Sequence, residues 1–252
     1  MIAANVFIGE PLYYASKDLF IRIPKVKDVM GNPKYNMYAS IFTMSQEDIW
    51  DMIAEKEGKM PDGKPVESAP TPFEFLLINC HASPDFAKIA TEAFHFWTGK
   101  HVRIYPQTKT ILFIDNIDKV EEARNLKTIE ENDYFTFQNL IRQAIGEEPV
   151  EPPNPNENPR VALIKAKGRY REKIKKKKGN KSSIPFNKTL VALCCMNLGL
   201  NPLNIGEIPY PAVSPLFSMA QDKEKYETDL KIATAGFGNK KVKPKYWIQN
   251  KD

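Results

Sequence analysis

The chain has 252 residues, a length that holds one large domain or two small ones. At 42% hydrophobic and 27% charged residues most of it is expected to fold, and no apolar run approaches the roughly 20 residues of a membrane-spanning helix, which argues against an integral membrane protein. The net charge of +5 hides a split, because residues 1–158 carry 16 Lys and Arg against 24 Asp and Glu (net −8) whereas residues 159–252 carry 20 against 7 (net +13). Opposite charges on two halves point to different partners or to mutual attraction.

Met1–Asn5 has neither a basic n-region nor a long apolar stretch, so no secretion signal is expected. Pro11–Tyr14 and Leu19–Ile23 alternate apolar residues around Ala15–Asp18 and predict a β-hairpin. Helices follow. Ser45 with Asp48 three residues on approaches a capping box, ahead of Ile49, Met52 and Ile53 at helical spacing. Thr71–Pro72 starts a second helix with Phe73, Leu76 and Leu77 on one face. Ser83–Pro84 starts a third, with Phe86, Ile89, Ala90, Ala93 and Phe94 turned inward. Val102–Tyr105 and Ile111–Ile114 read as a second hairpin, and Tyr134–Ile145 as a helix ended by Gly146.

Residues 147–159 contain five prolines in thirteen positions. Proline removes amide donors and favours extended chain, so this stretch reads as a semi-rigid linker. Arg160–Lys181 then holds eleven basic residues and a single acid, Glu172. Its few aliphatics give too thin an apolar stripe to bury well. Asn187–Leu198 reads as an apolar helix capped by Gly199 with Pro202 beyond. From Tyr210 to Ala235, Leu216, Met219 and Ala220, then Tyr226, Leu230 and Ala233, share a helical face. A basic tail containing Tyr246 and Trp247 closes the chain.

No catalytic constellation emerges. Cys80 and His81 are neighbours, and adjacent positions of one helix point about 100° apart, out of the hydrogen-bond reach that Cys/His chemistry needs. Cys80, Cys194 and Cys195 are odd in number, with two adjacent, and read as reduced thiols of a cytoplasm rather than a disulfide framework. Without a CxxC or HxxxH pair no zinc site is expected. GxSxG, GxxxxGK[ST] and HExxH are missing, and Gly236-Phe237-Gly238 lacks the third glycine of a phosphate loop. No metal or cofactor is expected. Nucleic-acid binding is the alternative that the residues themselves suggest. Lys165, Lys167, Arg169, Arg171, Lys173, Lys175, Lys176, Lys177 and Lys178 could neutralise phosphates, although Tyr170 is the lone aromatic available for base stacking. A solvated arm, or one resting on the acidic N-terminal part, is the plainer reading.

The C-terminal third also carries a family likeness. Asn158–Lys175 follows a Pro-Arg-hydrophobic-KxKxRxR-hydrophobic pattern. Leu193–Gly206 comes next, then Lys223–Leu230, then Ala233–Gly236 and Lys240–Ile248. This order resembles the tail assembly chaperones of long-tailed phages and prophages of low-GC Gram-positive bacteria, most clearly over residues 158–252. The resemblance implies a non-enzymatic protein of the host cytoplasm that is absent from the finished virion. Its N-terminal domain would bind the tape measure protein and its C-terminal domain would recruit tail tube subunits, with short and frameshifted long forms. Separately, the full set of capped amphipathic elements ahead of the linker suggests that residues 1–147 fold alone and self-associate or bind a long helical client. A small structural tail or head-completion subunit is a further alternative.

The expectation is therefore a mainly α protein with small β-hairpins (α+β). An acidic, mostly helical domain (1–147) precedes the linker (148–159), the basic arm (160–181) and a small helical C-terminal domain (182–252). Aromatics are the candidate partner-binding residues, because they dominate both cores and interfaces: Phe94, Phe96, Trp97, Tyr210, Phe217, Tyr226, Tyr246 and Trp247.

Overall fold

The computed structural model describes residues 3–58, 69–114, 127–151, 184–196 and 198–235, together with 158, 160, 161, 164, 165, 167 and 168. The fold is mainly helical with small antiparallel sheets. Its elements in chain order are α1 (Ala4–Ile8), β1 (Leu12–Tyr14), β2 (Leu19–Ile21), α2 (Val26–Met30), α3 (Tyr35–Thr43), α4 (Gln46–Lys56), α5 (Pro72–Ala82) and α6 (Pro84–Thr98). They continue with β3 (His101–Tyr105), β4 (Thr110–Ile114), β5 (Lys127–Ile129), α7 (Glu131–Ala144), α8 (Phe186–Cys195) and α9 (Val213–Thr234).

Local chemistry sets the expected boundaries. The Ser45 hydroxyl accepts from the Asp48 amide at 3.1 Å while the Asp48 carboxylate accepts from the Ser45 amide at 3.0 Å, a reciprocal box that opens α4. Thr71 and Glu74 repeat it on α5, and Ser83 caps α6 through the Phe86 amide at 3.2 Å. β1 pairs with β2 in the register Leu12–Ile21, Tyr13–Phe20 and Tyr14–Leu19, which turns Leu12, Tyr14, Leu19 and Ile21 inward. β3 pairs with β4, and β5 adds a third strand on the far edge of β4 that the hairpin reading did not foresee. Three helices, α1 to α3, also escaped it. α3 has no side-chain N-cap, and its inward residues Tyr35, Tyr38 and Phe42 are mostly tyrosines, whose hydroxyls mask an amphipathic pattern.

The N-terminal core is aromatic. Phe94 of α6 stacks on Phe137 of α7 with centroids 5.4 Å apart and meets Phe42 of α3 edge-on at 4.8 Å. Trp97 is fully buried and donates its indole N–H to the Tyr38 carbonyl at 3.2 Å. Phe94 and Trp97 were candidate partner-binding residues. Both have 0% exposure and offer a partner no surface, because they form the centre against which α3, α6 and α7 pack.

The C-terminal elements share a second apolar cluster in which Leu193 of α8 and Val213 of α9 meet Val26 of α2. The backbone joins the same places. The Val26 amide donates to the Ile208 carbonyl at 2.9 Å and the Tyr210 amide to the Pro24 carbonyl at 2.7 Å. The expected apolar face along the whole of α9 packs only in its first half. Val213 and Ala220 are buried, no residue from 221 to 235 is, and Met219 and Leu230 are 48% and 42% exposed. Most of the linker and of the basic arm lies outside the described residues.

Candidate functional site

Ile145 and Gly146 follow the C-terminal end of α7, α8 begins at Phe186, and a 3-10 turn over Tyr210–Ala212 leads into α9. These segments enclose a cavity of about 570 Å³ whose wall includes Ile145, Ile184, Phe186, Tyr210, Pro211 and Phe217. The cavity has the size of a recognition pocket, and its wall mixes these apolar side chains with the polar Thr189, Ser214 and Gln221. Tyr210 forms its inner edge. Its ring meets Phe186 at 5.4 Å and Tyr35 at 5.6 Å, so a single side chain belongs to both the groove and the N-terminal core. Burial first, then the nearby Glu147 carboxylate, push the Tyr210 hydroxyl above the usual tyrosine range. Phe217, one turn into α9, is half-buried on the wall.

The joint beneath the groove is built tightly. Gly9 ends α1 with φ +83°, and a Cβ there would lie 2.9 Å from Cγ of Pro209. Glycine supplies both the left-handed turn and the space. Lys25 and Lys27 straddle the Glu207 carboxylate at 2.7 and 2.6 Å. Their hydrogen bonds hold that carboxyl down at about 2.

A second exposed aromatic feature lies on the N-terminal hairpin. Tyr13 and Phe20 are directly opposed across β1 and β2, with rings 4.9 Å apart and exposures of 52% and 57%. The strand alternation that turns Leu12 and Ile21 inward turns these two outward. The outward half of this alternation stands in the sequence beside the inward half. Phe186 opens α8 one residue before Asn187, where the sequence places the helix start.

The remaining candidates scatter. Phe96 is half-buried against Tyr35 and Tyr38, with the Arg22 guanidinium 5.4 Å from its ring centre. Tyr226 sits half-buried on the outer half of α9. Lys165 and Lys167 are exposed. Tyr246, Trp247, Arg169, Arg171, Lys173 and Lys175, Lys176, Lys177 and Lys178 lie outside the described residues. Cys80 is buried, which pushes its thiol up to about 11, while His81 on the same helix is exposed. His95 and His101 stack at 4.6 Å. No group of three or more His, Cys, Asp or Glu among the described residues could hold a metal ion, and no described helix is long and apolar enough to cross a membrane.

No protein-family model, curated protein or solved structure matches this chain.

Proposed function

We propose that this protein is a non-enzymatic assembly chaperone for phage tails, binding the tape measure protein through its N-terminal part and recruiting tail tube subunits through its C-terminal part. One observation supports the reading: each part carries its own aromatic site, an exposed ring pair on the first and a groove walled by half-buried rings on the second. The Tyr13–Phe20 pair belongs to the first part, and the groove of Tyr210 and Phe217 to the second. Large aromatics at an exposed site supply contact area at small entropic cost, which makes them anchors for protein partners. The motif order of residues 158–252 adds the family likeness, and the opposite net charges of the two parts suit two different clients. In this reading a tape segment lies across Tyr13 and Phe20, and a tube subunit inserts an apolar side chain between Phe186 and Phe217. Carrying both sites on one molecule then raises the local concentration of tube subunits around the tape.

Pull-downs with purified tape measure and tube proteins test this on the full chain. Tyr13→Ala with Phe20→Ala should abolish tape capture and spare the tube, while Phe217→Ala should do the reverse. Capture of neither client by the wild type, with micromolar binding to generic DNA that falls steeply with salt, would replace this reading with the nucleic-acid one.

A further inference from the structure

A second cleft, of about 240 Å³, lies between the N-terminal ends of α4 and α5 and the body of α7, with Val150 and Glu151 along one side. Its floor is apolar, with Met44, Pro72, Phe73 and Phe135 contributing. Its lining carries the carboxylates Glu47, Glu131 and Glu151 and one cation, Arg142, which is itself paired with Glu147 at 3.0 Å. The Tyr134 hydroxyl, on a residue 1% exposed that also lines the cleft, has no hydrogen-bond partner among the described residues. An apolar floor beneath an acidic rim fits an apolar segment with basic flanks.

The chain contains such a segment. Val161 and Ile164, three residues apart on helical backbone, are 44% and 70% exposed, and Arg160, Lys165 and Lys167 flank them. We propose that the cleft of one molecule takes the Arg160–Gly168 segment of a second copy, so that two chains exchange basic arms. Charge complementarity favours the match, since this segment opens the half of net +13 and the cleft belongs to the half of net −8. Exchange rather than return follows from the tether. The Asn139 side chain grips the Val150 backbone at both ends, accepting from its amide at 2.9 Å and donating to its carbonyl at 3.0 Å. This fixes the chain at the cleft wall. Only the nine residues 151–159 separate that anchor from the arm, four of them proline, and proline-rich chain opposes the sharp reversal needed to re-enter the same cleft. Reciprocal exchange closes a two-fold dimer with identical contacts on both sides. The inference stands independently of the chaperone reading.

Light scattering after size exclusion, on the full chain, tests it. The wild type should be a dimer at low salt and loosen as salt rises. Ile164→Asp in the arm, and separately Phe135→Asp in the cleft, should each raise the dimer dissociation constant at least about tenfold. Both positions are exposed or half-buried, and circular dichroism verifies that each variant remains folded. Mixing the two variants should restore dimers, because the intact arm of one still meets the intact cleft of the other. Arg160→Glu with Lys167→Glu should weaken the dimer, and Glu131→Lys with Glu151→Lys should restore it. A monomeric wild type, a dimer indifferent to these changes, or an arm protected from protease within a monomer would each overturn the proposal.

Discussion

The ring of Tyr210 meets Tyr35 edge-on at 5.6 Å, and this contact seats the C-terminal segment on the aromatic core of the N-terminal part. Tyr35 in turn meets Phe96 and Trp97 at 6.0 and 6.2 Å, so the joint extends a continuous aromatic cluster. Removing the Tyr210 ring should be felt well beyond the groove. Tyr210→Ala is expected to cost about 2–3 kcal/mol, the range for a large aromatic truncation reduced for partial exposure. Tyr210→Phe keeps the ring contacts and should cost much less. Urea titration of both variants checks the difference, and equal losses would assign the effect to the hydroxyl.

Gly9→Ala strains the molecule twice. The left-handed φ of +83° should cost roughly 1–2 kcal/mol with any Cβ, and contact with Pro209 adds to it. In the double variant with Pro209→Ala, only the contact portion should be recovered. Full recovery would show that the backbone conformation is not the limiting strain.

Glu207 makes the joint sensitive to acid. Its carboxyl is held at about 2 by hydrogen bonds from Lys25 and Lys27, below its ordinary 4.5. The folded state therefore favours the ionised form. Its contribution is complete above about pH 4.5, fades as pH falls toward 2 and is absent below. The gap in urea midpoint between wild type and Glu207→Gln should be small, flat above pH 5 and closed at pH 2. Because the group is exposed, salt should narrow the gap as well. A gap that persists unchanged at pH 2 would contradict the ion-pair origin.

The three thiols should separate kinetically. Cys80 is buried and its thiol is pushed up to about 11, whereas Cys195 is exposed and Cys194 half-buried. At pH 8 a thiol reagent should label Cys194 and Cys195 first and Cys80 at least roughly 100-fold more slowly, in line with its thiolate fraction. Cys80→Ser should remove only the slow phase. Labelling of Cys80 at the pace of Cys195 would mean that α5 opens readily.

The Asn139 grip on Val150 replaces a strand partner with one side chain. Asn139→Ala should cost about 1–2 kcal/mol and accelerate hydrogen exchange at the Val150 amide. Asn139→Asp keeps the acceptor but lacks the donor, and should preserve most of that protection. An unchanged exchange rate in both variants would show that the chain at Val150 is held by other contacts.

Much of the architecture is written in short-range chemistry. Ser45, Thr71 and Ser83 mark helix starts because a side-chain oxygen within three residues satisfies amides that would otherwise be orphaned. The alternation of Leu12, Tyr13 and Tyr14 fixes the faces of the first hairpin because side chains on a strand change sides at each residue. These signals need no knowledge of the rest of the chain, so the α+β class and the starts of α4, α5 and α6 follow from the sequence. The placement of the aromatics does not. Phe94, Trp97 and Tyr210 have similar apolar character and similarly helical or turn-rich surroundings. Phe94 is buried between Phe42 of α3 and Phe137 of α7, and Trp97 packs against Tyr35 and the Tyr38 carbonyl of α3, while Tyr210 closes the space between two segments far apart in the chain. The outer half of α9 also repeats apolar residues at helical spacing, yet no residue from 221 to 235 is buried. Periodicity states which residues share a face, and only the positions of neighbouring elements decide whether that face is covered, because burial belongs to pairs of surfaces and the sequence of one helix specifies a single member of the pair.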